Sequence, residues 1–264
     1  ELSKEARSML GQKTSLANEK TTNSNNNSSL EKHLPKNMVF VSSGFFIMGS
    51  NDHGEDEAPE HKTYLDSYYI DRYEVSANDF SLFLNEVNNG NGYYLDNQYG
   101  TLFYNGKYQS RKGFENHPIN NVKWKGAYEY CRWKGKHLPT EAQWEKAARG
   151  TDGRIFPWGN QPSKLLANFN NKSAMDVGTY TCAKCANGLN DMAGNVWEMT
   201  LSPLTAYPFV SKRTLDAKEA QPLLVMRGGG YNDAANNIRT AVRGGVGPGS
   251  PSPTIGFRVA ITKQ

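Results

Sequence analysis

Cysteine is scarce in this chain: three in 264 residues, at positions 131, 182 and 185, and none beyond. So few cannot build a disulfide scaffold at this length. The C-terminal stretch therefore offers no thiolate for nucleophilic or soft-metal chemistry. Cys182 and Cys185 form a lone C-x-x-C with no His or Cys cluster nearby to complete a zinc site, which leaves a local disulfide or two free thiols open. Histidine is equally sparse, and His33, His53, His61, His117 and His137 show no metal-ligand spacing. No apolar run approaches the roughly 20 residues that a bilayer-crossing helix requires. Charge of one sign is also missing: the formal balance is +4, with no Lys/Arg block, so neither nucleic acid nor a membrane surface is indicated as partner. No P-loop, activated serine or acid–base pair stands out.

Residues 1–36 are polar and poor in aromatics, with a Thr/Asn/Ser tract at 21–29. Such a segment buries too little apolar surface to offset its ordering entropy, so a flexible tether is expected there. From Met38 onward the texture changes. With 37% apolar residues, 11% aromatics and 25 glycines overall, residues 37–264 are read as one loop-rich domain. Met38–Val41 and Phe45–Gly49 flank the Gly-containing turn Ser42-Ser43-Gly44 and read as a β-hairpin, and 64–75 as a further strand stretch. Three helices are expected. Ser76 caps a stripe at Phe80, Phe83, Leu84 and Val87. Trp124, Ala127, Tyr128 and Cys131 repeat that stripe before Gly135, and Cys131 is read as a core thiol. Thr140 and Gln143 form a capping box ahead of Trp144, Ala147 and Ala148, closed by Gly150. Beyond Gly153 only short apolar pieces remain, at 176–180, 223–227, 238–243 and 255–261, within irregular chain that must be functional or pinned.

Four stretches in order carry a resemblance. They are Phe45-Phe46-Ile47-Met48-Gly49-Ser50, Lys136-His137-Leu138-Pro139-Thr140-Glu141-Ala142-Gln143-Trp144-Glu145, Asp191-Met192-Ala193-Gly194-Asn195-Val196-Trp197-Glu198, and Arg227-Gly228-Gly229 with Ile255-Gly256-Phe257-Arg258. Together they resemble the formylglycine-generating-enzyme, or sulfatase-modifying-factor, family. The resemblance implies an α+β, C-type-lectin-like fold with small twisted antiparallel sheets, two or three helices and long irregular loops. Enzymes of that family oxidise a substrate cysteine with two copper-binding cysteines that follow the Gly-Gly motif. Here the first of those positions falls on Asp233, and the second lies where this chain is shorter. Copper is not expected, nor is iron, because the branch that makes sulfoxides carries a His-rich helical domain for which the polar N-terminus has no counterpart. The expectation is a non-enzyme; the rivals are a formylglycine-type oxidase and an undiversified interaction module. The resemblance further implies a structural calcium held by Asp191, the carbonyls of Gly194 and Val196, and Glu198, a set of hard oxygens on a tight turn.

A second gap is compositional. Residues 228–257 contain no Lys, Glu, Gln, Met or Trp, although those types make up about one residue in five of the chain, so about six were expected. They are the residues that NNC and NNT codons cannot encode, as when the adenines of Asn codons are randomised. This resembles the variable proteins of diversity-generating retroelements, which include surface lipoproteins and carry a variable region at this place. It implies a surface-displayed binding protein in the outer membrane, held only through a lipid anchor upstream of the visible chain. A monomer is expected, with a protein or glycan on another cell as ligand. Candidate ligand contacts are Tyr231, Asp233, Ala235, Val242, Gly244, Val246, Gly247, Ser252 and Thr254, on loops that a rigid scaffold would position. Arg227, Gly228, Gly229 and Ile255–Arg258 are expected to be scaffold. Between them Asn236, Ile238, Arg239 and Arg243 should point inward, and Asp233, Ala235, Val242, Gly244 and Val246 outward.

Overall fold

A computed structural model of the chain describes residues 37–87, 89–208 and 223–262. The expected tether at 1–36 lies outside them. Helix α1 (Ala77–Val87) buries Phe80, Phe83 and Leu84. Its first turn is capped by Ser76, whose Oγ accepts from the Asp79 amide at 3.1 Å. A short helix α2 (Gly90–Tyr93) follows, which local periodicity did not announce. Helix α3 (Trp124–Trp133) ends before Gly135, which takes a positive φ of 68°. The thiol of Cys131 is buried, and burial raises its pKa well above the usual range. Helix α4 (Glu141–Arg149) opens with the expected capping box, Thr140 and Gln143 exchanging side-chain and backbone bonds.

The strands depart further from expectation. β1 (Met38–Val41) and β2 (Gly44–Met48) are adjacent in sequence but do not pair. β2 pairs antiparallel with β3 (His61–Leu65), while β1 lies beside β4 (Tyr68–Asp71) in a three-stranded sheet completed by β11 (Ala260–Thr262). The physical reason is that the two strands feed different cores. Val41 packs with Tyr68, Ile70 and Trp144, whereas Phe46 and Met48 pack with Ala142 and Tyr207. β5 (Leu102–Tyr104) and β6 (Tyr108–Ser110) form a separate hairpin.

A four-stranded sheet positions everything that follows. Its order is β10 (Ile255–Gly256), β7 (Trp197–Pro203), β8 (Leu224–Arg227) and β9 (Arg243–Val246). β10 runs parallel to β7 with Ile255 opposite Trp197, and Arg227 faces both Glu198 and Arg243 in antiparallel register. The chain thus leaves the sheet at Gly228, returns as β9, and closes through 247–254 beside the start of β7. Beneath this sheet Phe257 meets Phe80 and Tyr130 edge to face, the latter at 5.4 Å.

All nine residues of α4 are buried, four of them charged. Burying charge is tolerable only with partners, and each has one. Glu145 accepts from the Gly49 amide at 2.8 Å and pairs with Arg149 and Arg227. Glu141 takes Arg243 through both oxygens, at 2.7 and 3.0 Å, and the Tyr207 hydroxyl at 2.9 Å. Lys146 donates to the carbonyls of Ser42 and Gly44 at 2.8 and 2.9 Å.

Candidate functional site

The Asp191–Glu198 turn is built for a tight fold. Asp191, Gly194 and Asn195 all take positive φ, at 58°, 79° and 61°. A Cβ on Gly194 would lie 2.2 Å from the Asn168 carbonyl oxygen, so glycine is required there. Asn195 locks the turn from inside, donating to Glu74 at 2.6 Å and accepting from the Met175 amide at 2.9 Å. As arranged, the two carboxylates expected to hold calcium already have partners in the protein. Glu198 is fully buried, and its two oxygens take the Arg258 guanidinium at 2.6 Å each and the Trp144 indole at 2.8 Å. Asp191 accepts from the Gly178 amide at 2.7 Å. A cation here would have to share Glu198 with Arg258. Among the described residues, no group of three or more His, Cys, Asp or Glu is arranged to hold a metal ion. Instead Arg258 is the counter-charge to a buried acid cluster. Burial holds the Asp191 carboxyl up to about 6 against the pull of the Gly178 amide, and Glu74 is raised well above its usual range by burial and by Asp191 and Glu198.

Near the end of this turn, just before Glu198, stands Trp197, half-buried and packed against the main core. Two glycines allow its ring to lie where it does. A Cβ on Gly244 would come within 3.1 Å of the indole Cζ3, and one on Gly230 within 3.3 Å of Cδ1. The indole N–H donates to Asp233 Oδ2 at 2.8 Å, and the same oxygen accepts from the Gly230 amide at 2.9 Å. Asp233, at the position matched to the family's first catalytic cysteine, is thus a hydrogen-bond acceptor that orients a tryptophan.

The expected ligand contacts divide around this ring. Tyr231, Asp233, Ala235, Gly244, Gly247, Ser252 and Thr254 are half-exposed. Asp233, Gly244 and Thr254 touch Trp197 directly, the last through its carbonyl, which accepts from the Trp197 amide at 2.8 Å. Tyr231 is fixed by the Asn195 carbonyl, and burial raises its phenol pKa. Ser252 Oγ lies 3.0 Å from Thr254 Oγ1. Val242 and Val246 were expected outward and are not: they are 7% and 5% exposed. Val246 faces Leu224 across the sheet and joins the main core, while the Val242 backbone carbonyl accepts from buried Arg227. On this strand Gly245 is the exposed position. Asn236 was expected inward and is exposed, although its side chain accepts from Arg239 at 2.9 Å.

Ile238, Arg239 and Arg243 are buried as expected, and so are the flanking Arg227–Gly229 and Ile255–Arg258. Ile238 fills a cluster with Phe156, Phe169 and Ala193. Arg239 grips Glu57 through two bonds of 2.8 Å, and Arg243 reaches the Asp56 and Thr205 carbonyls besides Glu141. These arginines pin the irregular chain from below, which answers how so much loop holds its shape. Cys182 and Cys185 are joined as a disulfide. Sequence reasoning missed Trp197; its signal was a large aromatic directly following a glycine turn, at the head of a strand that neither strand pattern nor helix stripe had marked.

Residues 23–263 match the sulfatase-modifying factor enzyme 1-like domain. The serine/threonine-protein kinase Pkn1 of Chlamydia trachomatis is 34% identical over 238 residues, which is 84% of this chain and 38% of that protein. The chain thus spans about two fifths of the length of the Chlamydia kinases it matches. The mouse formylglycine-generating enzyme is 29% identical over 287 residues, covering 84% of this chain and 74% of the enzyme. Among solved structures, PvdO from Pseudomonas aeruginosa superposes with a TM-score of 0.69 at 24% identity, covering 84% of this chain and 93% of that one. Treponema denticola variable protein 1 does so with a TM-score of 0.65 at 19% identity, covering 85% and 94%. At these identities the structural likeness speaks for the fold, which is the C-type-lectin-like α+β fold expected from the sequence.

Proposed function

Because this chain belongs to the sulfatase-modifying factor enzyme 1-like family, we propose that it is a ligand-binding, non-catalytic member whose binding surface is the 230–254 stretch around Trp197. One observation carries this reading. Where a family oxidase would place a reactive thiol, this chain has Asp233, hydrogen-bonded to Trp197 and Gly230, and the sequence holds no cysteine beyond position 185. A carboxylate so engaged cannot deliver thiolate chemistry. What the surface does offer is a set of side chains on loops held by a rigid sheet and buried arginines, an arrangement suited to recognition. Diversification of that stretch and display at the cell surface through a lipid anchor belong to the same proposal, with a protein or glycan as ligand.

The test has two arms. Protein incubated with copper and a cysteine-containing sulfatase-motif peptide should yield no aldehyde product by mass spectrometry; turnover would restore the oxidase reading. Sequencing the neighbouring DNA should find a reverse transcriptase gene and an adenine-rich near-copy of codons 228–257. Finding neither would remove diversification and leave an interaction module.

A further inference from the structure

On the premise that the 230–254 surface binds a ligand, we infer that Trp197 is its fixed platform and that the ligand presents a neutral pyranose ring. The first part follows from geometry. Trp197 lies outside the stretch whose composition is skewed, yet that stretch meets its ring from two sides, the Gly230–Asp233 loop and Gly244 on β9, and holds its backbone amide through the Thr254 carbonyl. Its indole N–H is satisfied by Asp233, so the ring edge is fixed and the ring presents no unanswered donor. Glycine at 230 and 244 keeps side chains from covering the ring at those two edges. An aromatic surface whose orientation is set by the scaffold, ringed by loop positions, is a platform on which specificity is written by the neighbours.

The second part follows from what surrounds the ring. Asn232 and Asn237 are exposed, and Ser252, Thr254 and Tyr231 half-exposed. The Asn232 side-chain oxygen and Trp197 Cδ1 both lie 3.3 Å from the place where a Gly230 Cβ would be, which puts that amide beside the indole. Amides and hydroxyls both donate and accept, which matches the hydroxyls around a sugar ring, while the indole face takes its C–H surface. Within 230–254 the one charged side chain not turned inward is Asp233, whose Oδ2 is taken up by Trp197 and Gly230. The stretch has no Lys or Glu, and its two internal arginines are turned inward, Arg239 onto Glu57 and Arg243 onto Glu141. Anionic groups therefore find no free guanidinium within this stretch. Beyond Trp197 and Tyr231 the rim supplies amides and hydroxyls. A neutral sugar is the ligand this chemistry fits.

The probes are a printed array of neutral and acidic oligosaccharides and a phage-displayed library of 12-residue peptides, applied to the whole chain. Neutral hexose or N-acetylhexosamine glycans should bind. Trp197→Ala should weaken them by roughly tenfold or more, the loss of an aromatic contact worth about a decade in affinity. Trp197→Phe, which keeps a ring, should retain most binding and serves if the alanine variant melts early. The selected neutral oligosaccharide should also shift tryptophan emission in the native protein and not in Trp197→Phe. Glycan binding indifferent to Trp197, preference for acidic glycans, or selection of peptides that require Tyr231 or Asn232 would overturn the pyranose assignment while leaving a ligand-binding surface. Probes that bind but are unaffected by any change in 230–254, or an absence of binding by every probe, would sink the assignment and its premise together.

Discussion

Arg258 is the residue whose loss should be felt most. Its guanidinium makes two bonds of 2.6 Å to Glu198 and further bonds of 3.0–3.1 Å to the carbonyls of Asp71, Arg72 and Asn190, all with no exposure to water. It is also the counter-charge to Glu74 and Asp191. Arg258→Met keeps the volume and removes the charge, leaving an uncompensated carboxylate in the interior. Breaking a buried pair in this way typically costs about 3–5 kcal/mol. At roughly 2–4 °C per kcal/mol for a domain of this size, the melting temperature should fall by about 6–20 °C. The defect should grow with pH. The folded-state pKa of Asp191 is raised to about 6, so the native state already binds that proton more tightly than the unfolded chain, and stability falls as pH rises from about 4 to 6. Without Arg258 that slope steepens and extends upward. Thermal melts by circular dichroism between pH 5 and 8 supply the assay, with Arg258→Met/Glu198→Gln as control, which should recover part of the loss. A destabilisation below about 1 kcal/mol at pH 7 would refute the clamp as described.

Three further outcomes are expected. Ile238→Ala should cost about 2–5 kcal/mol by urea unfolding, because the side chain is fully buried among Phe156, Phe169 and Ala193, whereas Asn232→Ser and Asn237→Ser, both exposed, should stay within about 0.5 kcal/mol. EDTA should leave the melting curve unchanged, since Arg258 and the Gly178 amide already answer the acids of the Asp191–Glu198 turn; a melting temperature raised by added calcium would show that the ion displaces them. In native protein at pH 8, dithionitrobenzoate should find no reactive thiol, and after unfolding without reductant it should find one, Cys131, because Cys182 and Cys185 are joined. Two or three thiols would contradict the disulfide.

How much of this was legible in the sequence depended on how far apart the deciding contacts lay. The helices were readable because their signals are local: Thr140 and Gln143 find each other within one turn, and Phe80, Phe83 and Leu84 share a face by periodicity alone. The strands were not, because pairing is decided by partners far along the chain. β1 and β2 look like a hairpin until Tyr68 and Trp144 claim Val41 for one core and Ala142 and Tyr207 claim Phe46 for another. The 230–254 stretch divides for the same cause. Ile238, Arg239 and Arg243 could be placed inward from residue type, since a large aliphatic wants burial and a lone arginine among glycines and alanines wants an acid. Val246 could not be kept outward by membership in the skewed stretch, because its facing partner, Leu224, lies on another strand and draws it into the core.

Trp197 shows the limit most clearly. Nothing within five residues tells whether its ring is core or surface; that is settled by Gly230, Gly244 and Asp233, between 33 and 47 positions downstream. If those three residues set the ring, then crowding its edge should disturb recognition more than stability. In Gly244→Val the added atoms meet the unbranched Met226 side chain, whose Cε and Cγ lie 2.8 and 3.0 Å from a Cβ at that position, together with the indole edge at 3.1 Å. The backbone at Gly244 lies outside the positive-φ region, so no strain arises from conformation. The thermal cost should therefore be small, while the indole environment, read by tryptophan emission, should change. The reverse pattern, a large stability loss with unaltered emission, would mean that Gly244 is there for packing and that the ring is not the surface this sheet was shaped to present.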